Sequence, residues 1–219
     1  MKRPIKASVP KKNLINKRLK YSSIAISGRP GAGRSTLLKN LKPYLEPLGW
    51  EFFSGGEWAR QFAIKNGKHD PNDLSHHYAT DYGEEIDHQI DAAMRKRLSS
   101  PSVHMAVESW IAGWNMRGLP HVLKILLCCD DALRIDRIVN RDNLTVEEAK
   151  HHIWDREEEN LAKWERMYKT KGFWNPKYYD LFIDTYSNGQ KETLNLVLKA
   201  LGYPNAKGQN HRNDKIRQI

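Results

Sequence analysis

The sequence has few cysteines and no long apolar run, and both absences narrow the class of protein. Two cysteines occur in 219 residues, and they are the neighbours Cys128 and Cys129. Successive residues of a strand point to opposite faces, so this pair predicts neither a shared metal ion nor a structural disulfide. No stretch approaches the roughly 18 apolar residues of a transmembrane helix, and the N-terminus lacks the apolar core of a secretory signal. These absences predict a cytoplasmic protein outside the membrane.

The body of the chain also lacks an excess of basic charge, although the formal net charge is +10. Residues 1–20 carry eight Lys/Arg and no acidic residue, and residues 203–219 carry four Lys/Arg and one Asp. Residues 21–202 therefore hold 24 basic and 25 acidic side chains, a net charge of −1. The body is not a basic nucleic-acid-binding domain. The two basic segments are predicted to be flexible tails, and residues 1–20 could contact nucleic acid weakly through counterion release or serve only as a solubilising tail.

Strand and helix patterns alternate through residues 21–202. Strands are predicted at 21–28, 51–53, 102–109, 121–129 and 178–185. Helices are predicted from Gly33 onward and at 56–67, 84–100, 130–142, 145–172 and 188–202. This alternation predicts an α/β fold, in which a parallel sheet of about five strands has helices on both faces.

The segment "ISGRPGAGRSTLL" (26–38) predicts a phosphate cradle between the first strand and the first helix. Glycines let the backbone curl so that several N–H groups face phosphate oxygens, and the following helix adds the positive end of its dipole. The segment fits Gly-x-x-x-x-Gly-Lys-Ser/Thr except that Arg34 replaces the lysine. The predicted ATP-binding residues are Gly28, Gly31, Ala32, Gly33, Arg34, Ser35 and Thr36, with the Ser35 hydroxyl as a ligand of Mg²⁺.

Arg34 keeps the positive charge that the β- and γ-phosphates require, and a guanidinium can bind phosphate through two hydrogen bonds. It is planar and less able than an ammonium group to follow a moving phosphoryl group. Because a misplacement of about 1 Å can lower a rate about 100-fold, Arg34 predicts intact nucleotide binding and leaves the rate of transfer open. The GTPase signature Asn-Lys-x-Asp is missing, which favours a small-molecule kinase.

Two further segments resemble the acceptor-binding regions of archaeal-type cytidylate kinases. In "FFSGGEWAR" (52–60) a small-residue turn opens a helix that carries an arginine, and in "VESWIAGW" (107–114) a glutamate ends an apolar strand. The resemblance implies a nucleoside monophosphate (NMP) site made by Ser54, Gly55, Arg60, Trp110 and Gly113, with Glu108 beside Mg²⁺. Trp110 departs from the family, which has at this position an arginine that binds the acceptor phosphate. Its indole could instead stack on a base.

A third segment, "WDREEENLAKWERMY" (154–168), resembles the lid helix of the same family. Arg156 and Lys163 fall on the positions of the lid's basic residues, and they are two helical turns apart, so they share a face that Arg166 joins. Cations on a mobile helix would stabilise the anionic transition state. The resemblance implies that Arg34, Arg156 and Lys163 are the catalytic residues. Without it, a solvated helix with pairs such as Glu159–Lys163 would be the simpler interpretation.

The resemblance covers about residues 21–202 and implies a P-loop kinase fold with an NMP-binding region near 54–100 and a lid near 143–176. It implies a monomeric kinase that transfers the γ-phosphoryl group of ATP to an NMP, most simply CMP or dCMP, with Mg²⁺. Because two phosphate contacts have changed, two alternatives stay open. One is an impaired nucleotide-binding protein whose tails hold RNA or a partner, and the other is a P-loop kinase with a different acceptor.

Histidines and most tryptophans are not counted as site residues. The pairs His76–His77 and His151–His152 lack the i,i+4 spacing of two ligands on one helical face and are predicted to lie at the surface. Trp58, Trp154 and Trp164 are predicted to pack in the core or the lid. For Trp110 and Trp114, packing and a place in the acceptor pocket are equal alternatives.

Overall fold

The computed structural model describes residues 15–16, 18–67 and 83–204, which form one parallel sheet with helices on both faces. The sheet order is β2-β3-β1-β4-β5. The strands are β1 (Ser23–Gly28), β2 (Glu51–Ser54), β3 (Met105–Glu108), β4 (Val122–Cys128) and β5 (Leu181–Asp184). The predicted α/β fold is confirmed. Most of the N-terminal tail, the segment 68–82 with His76–His77, and the C-terminal tail beyond residue 204 lie outside the described residues.

Seven helices are found within the described ranges: α1 (Arg34–Leu45), α2 (Gly55–Lys65), α3 (Glu84–Leu98), α4 (Ala112–Asn115), α5 (Asp131–Asp142), α6 (Val146–Tyr168) and α7 (Gln190–Leu201). The predicted starts of the helices are confirmed where the structure shows a capping side chain. Thr145 caps α6 in the capping box with Glu148 that the sequence predicts. The one-turn helix α4 was not predicted, because four residues after a strand are too few to show a helical period. Short 3₁₀ turns occupy 46–48 and 176–178.

Alternate side chains of the central strands pack into two apolar clusters, one on each face of the sheet. Ile24 and Ile26 of β1 pack with Leu41 of α1 and Val197 of α7. Ala25 faces the opposite cluster, which contains Met94 and Leu98 of α3. Six of the seven β4 residues are buried, as expected of a strand that is covered on both faces.

The register of the parallel strands brings two predicted site residues, Ser54 and Glu108, to one edge of the sheet. Ile26 of β1 is aligned with Glu108 of β3, and Ser54 of β2 is aligned with the same glutamate. The loop after Gly28 leaves β1 at this edge, between the neighbouring strands β3 and β4. Ligands of open α/β sheets bind at such a carboxyl edge, where the chain turns to opposite sides of the sheet.

Two predictions about exposure are wrong. His152 is buried rather than at the predicted surface position, because it lies on the face of α6 that packs inward. Trp154 is 52% exposed rather than packed in the core or the lid, because it lies on the outer face of the same helix.

Over the described residues, no helix combines the length and apolarity needed to cross a membrane.

Candidate active site

The loop between β1 and α1 has the backbone of a phosphate cradle. Gly31 and Gly33 adopt φ values of 76° and 97°, which side chains other than glycine rarely adopt. A Cβ at Gly31 would lie 2.8 Å from the carbonyl oxygen of Arg134, so the loop also requires a small residue for space. The N-terminus of α1 follows directly. Its N–H groups and its dipole are therefore available to an anion.

A cavity of about 810 Å³ opens in front of this loop. Residues that the sequence predicts to bind ATP and residues that it predicts to bind the NMP both line this cavity: Gly31, Gly33, Arg34, Ser35, Thr36, Ser54, Arg60, Glu108, Trp110 and Arg156. The remaining predicted residues do not line this cavity. Gly28 ends β1, Ala32 lines a separate cavity, Gly55 lines a smaller cavity, Gly113 lies against Tyr179, and Lys163 pairs with Asp87. The donor and acceptor residues thus share one open space.

Glu108 is the point at which the donor and acceptor residues meet. Its carboxylate accepts hydrogen bonds from Arg34 Nη1 at 3.0 Å, from Ser35 Oγ at 3.3 Å and from Ser54 Oγ at 2.5 Å. The Ser54 hydroxyl also caps α2 by accepting a hydrogen bond from the backbone N–H of Glu57. One buried carboxylate therefore connects the phosphate cradle with the helix that opens the acceptor side.

Arg34 lies in a largely dry environment. Its side chain is 13% exposed, and that of its ion-pair partner Glu108 is 2% exposed. Burial lowers the pKa of the Arg34 guanidinium from its ordinary value, and the Glu108 carboxylate opposes that change. An arginine stays protonated even so. The site consequently holds a permanent, poorly hydrated cation where phosphate would bind.

The acceptor side is built on α2 and on the end of β3. Gly55 approaches Ser109 so closely that a Cβ there would lie 3.1 Å from the Ser109 Cβ atom. Arg60 lies on α2 and lines the main cavity. A smaller cavity of about 80 Å³ adjoins it and is lined by both polar and apolar side chains, including Asp87, Ser109 and Asn160.

Helix α6, the predicted lid, has five buried polar side chains: His152, Arg156, Glu157, Asn160 and Lys163. Glu157 forms ion pairs with Arg29 of the phosphate loop and with Arg134 of α5. Lys163 forms an ion pair with Asp87 of α3, while Arg166 is 63% exposed and pairs with Glu84. Burial, followed by the charge of Arg156, lowers the pKa of His152 to about 4. The predicted basic stripe is thus divided, with Arg156 at the cavity and Lys163 between the helices.

Trp110 and Trp114 have different surroundings. Trp110 lines the main cavity, and its ring lies 5.8 Å from Arg34 Cζ and 5.4 Å from Arg156 Cζ. Trp114 is buried against Phe173 and Tyr168, and it lines neither of the two cavities described above. Of the two alternatives left open by the sequence, packing therefore applies to Trp114, whereas Trp110 lies in the pocket.

Three arginines that line the main cavity are not among the predicted site residues: Arg29 of the phosphate loop, and Arg137 and Arg141 of α5. The two on α5 lie one helical turn apart. Arg137 donates hydrogen bonds to the carbonyl oxygen of Gly31 and to Thr185, and so supports the phosphate loop from α5. Arg141 lines the same cavity. Their i,i+4 spacing on a strongly amphipathic helix was the available signal, because it places two cations on one face.

The oxygen donors at the junction suit Mg²⁺. Ser35 Oγ and Glu108 Oε1 lie 3.3 Å apart at the foot of the cradle, and hydroxyl and carboxylate oxygens are hard ligands. Within the described residues, no cluster of three or more His, Cys, Asp or Glu side chains could hold a metal ion without help. A Mg²⁺ ion here would therefore depend on phosphate oxygens as further ligands, as is usual for this ion.

Comparison with known proteins agrees with this geometry. A cytidylate kinase of Methanothrix thermoacetophila is 34% identical over 178 residues, which cover 81% of this chain and 96% of that protein. One of Haloarcula marismortui is 29% identical over 81% of this chain and 88% of its own length. A crystal structure of an uncharacterised protein from Eubacterium ventriosum has the same fold, with a TM-score of 0.60 at 14% identity over 82% of this chain and 97% of its own. Residues 23–187 match the cytidylate kinase-like family. This chain therefore belongs to the cytidylate kinase-like family.

Proposed function

We propose that this protein is a nucleoside monophosphate kinase that transfers the γ-phosphoryl group of ATP to CMP or dCMP. The observation that carries the proposal is the meeting of Arg34, Ser35 and Ser54 on the single carboxylate of Glu108. A cradle alone would indicate only nucleotide binding. A cradle joined to a second, capped helix N-terminus across one cavity provides room for two phosphate-bearing substrates next to each other.

On the donor side, the backbone N–H groups of the loop and the N-terminus of α1 would hold the phosphates of ATP. Arg34 would contact the β- and γ-phosphates, while Ser35 and Glu108 would hold Mg²⁺. The metal ion would neutralise charge on the phosphate oxygens and orient the γ-phosphoryl group. Arg137 fixes the loop by bonding the carbonyl oxygen of Gly31, so the cradle is formed before nucleotide arrives.

On the acceptor side, Ser54 orients the N-terminus of α2 towards the acceptor phosphate, and Arg60 would pair with that phosphate. An acceptor phosphate oxygen would attack the γ-phosphorus in line, and ADP would leave without a covalent enzyme intermediate. Arg156 faces the same cavity and would stabilise the charge of the transferring group. Lys163 could join it only after leaving Asp87, so its predicted role requires a movement of the lid.

The choice of a pyrimidine acceptor rests on the relatives, whose names are cytidylate kinase. The small cavity beside Asp87, Ser109 and Asn160 offers polar groups near the acceptor phosphate site, which suits a base with hydrogen-bonding edges. Trp110 offers an aromatic face at the boundary between the two cavities.

A coupled assay of ADP release with CMP, dCMP, UMP, AMP and GMP tests the proposal. We expect turnover with CMP or dCMP that exceeds turnover with the purine nucleotides and depends on Mg²⁺. Binding of ATP with no acceptor-stimulated release of ADP would show that the chain only binds nucleotide. Turnover with another small hydroxyl compound, but with none of the five nucleotides, would show a different acceptor.

A further inference from the structure

Two residues of the site depart from the pattern of its family, and the structure places them in contact. Arg34 stands where the cradle usually has lysine, and the sequence resemblance implies an acceptor-binding arginine at the position of Trp110. They are far apart in the sequence, yet Arg34 Cζ lies 5.8 Å from the centroid of the Trp110 ring. We infer that the two changes form one unit, in which the guanidinium of Arg34 binds both the donor phosphates and the acceptor phosphate. This inference rests on the proposed kinase function.

The reach of Arg34 supports a double role. Its Nη1 atom bonds Glu108, the same carboxylate that holds Ser54 at the start of the acceptor helix α2. The guanidinium therefore lies across the boundary between the cradle and the acceptor side rather than along the cradle alone. A guanidinium carries five N–H donors in a plane, and the bond to Glu108 uses one of them. The ammonium of a lysine is a point charge that cannot present such a fork to two phosphates.

Trp110 has cations as neighbours on both the cradle side and the side of α6. The guanidinium of Arg156 lies 5.4 Å from the centroid of the same ring, so two cations lie close to the indole. An aromatic face attracts a cation by about 0.5–2 kcal/mol, which helps to hold both guanidinium groups at the cavity. Trp110 is itself held by an edge-on contact with Trp164 of the lid and by a hydrogen bond from Trp174 Nε1 to its carbonyl oxygen. It is a positioning residue for the two arginines.

Three variants of the full-length protein separate this idea from independent drift at each site: Arg34→Lys, Trp110→Arg, and the two combined. We expect Arg34→Lys to raise the KM for CMP about tenfold or more, in addition to any effect on ATP, because one charged contact with the acceptor phosphate is lost. Trp110→Arg in the Arg34→Lys background should restore the KM for CMP to within about threefold of the parent. In the Arg34 background the same change should fail to lower it, because Arg34 already supplies the charged contact with the acceptor phosphate.

Controls guard against a purely structural effect. Arg97→Lys makes the same exchange at an exposed arginine that also pairs with a glutamate, Glu51, and should leave the KM for CMP unchanged. Calorimetric titration of CMP in the presence of ADP measures acceptor affinity without turnover, and should show the same loss in Arg34→Lys.

The Arg34→Lys variant decides the question alone if Trp110→Arg fails to fold, since a lysine can still pair with Glu108. An unchanged KM and Kd for CMP in Arg34→Lys would overturn the inference while leaving the kinase function intact. Independent, multiplicative effects of the two substitutions would also overturn it. A parent protein that neither binds nor phosphorylates CMP would overturn both the inference and the choice of acceptor.

Discussion

Glu108→Gln tests whether the junction of the site is electrostatic. In the free protein the carboxylate is the countercharge of Arg34, whose side chain is 13% exposed, and it accepts three hydrogen bonds. Removing one partner of a buried ion pair costs about 3–5 kcal/mol. The amide oxygen of glutamine can keep the two hydrogen bonds from Ser35 and Ser54, worth about 1 kcal/mol each, so we expect the free energy of unfolding to fall by about 1–3 kcal/mol. For a protein of this size, that loss lowers the Tm by about 2–12 °C.

Urea and thermal unfolding followed by circular dichroism measure this change. Glu85→Gln is a matched control, because Glu85 is exposed on α3, and its effect should stay within about 0.5 kcal/mol. A second measurement compares the stability of the two proteins with and without ATP in the absence of Mg²⁺. The phosphates of ATP can replace the missing carboxylate beside Arg34. The nucleotide should therefore stabilise the Glu108→Gln variant more than the parent. A loss of stability no larger than that of the control, or equal stabilisation by ATP, would refute the electrostatic account.

Two further predictions concern packing and pH. Gly113→Ala should lower the free energy of unfolding by about 1–3 kcal/mol, because the added Cβ would clash with the ring of Tyr179. Gly56→Ala, where a Cβ meets nothing within 4 Å, should be close to neutral when both variants are unfolded by heat and by urea. Burial raises the pKa of Asp91 to about 6, so the folded state holds the extra proton and stability falls as pH rises from about 4 to 6. The lowered pKa of His152, about 4, acts in the opposite direction, since the unfolded chain then binds more protons up to about pH 6.5. Urea titrations of Asp91→Asn should therefore show stability rising more steeply from pH 4 to 6 than in the parent, and parallel curves would contradict the raised pKa of Asp91.

Much of the fold follows from local patterns in the sequence. Glycines at 28, 31 and 33 predicted the cradle, because their spacing is that of a phosphate-binding loop between a strand and a helix. The apolar run of β4 indicated a strand covered on both faces, and it is buried along six of its seven residues. Glu108 was a candidate because it ends an apolar strand. These features depend on neighbours in the chain, which is why they could be predicted.

The contacts within the site could not be predicted in the same way. Arg34 and Glu108 are 74 residues apart, and they meet only because β3 lies beside β1 in the sheet. The burial of His152 and Lys163 depends on the packing of α6 against α3 and α5, although the sequence of α6 alone is that of a charged, solvated helix. The one-sided charge of α6 was visible, but its partner Asp87 was not.

The ion pairs of Glu157 have a consequence for energetics. This residue of α6 forms ion pairs with Arg29, within the phosphate loop, and with Arg134, whose Nε donates to the carbonyl oxygen of Pro30 in the same loop. The loop and the predicted lid helix are therefore joined through side chains in the absence of substrate. By linkage, a movement of α6 that breaks these ion pairs would change the affinity of the loop for a nucleotide, and the nucleotide would shift α6 by the same free energy. A substitution that removes the ion pairs of Glu157 would therefore change the affinity for ATP, although Glu157 need not contact ATP itself.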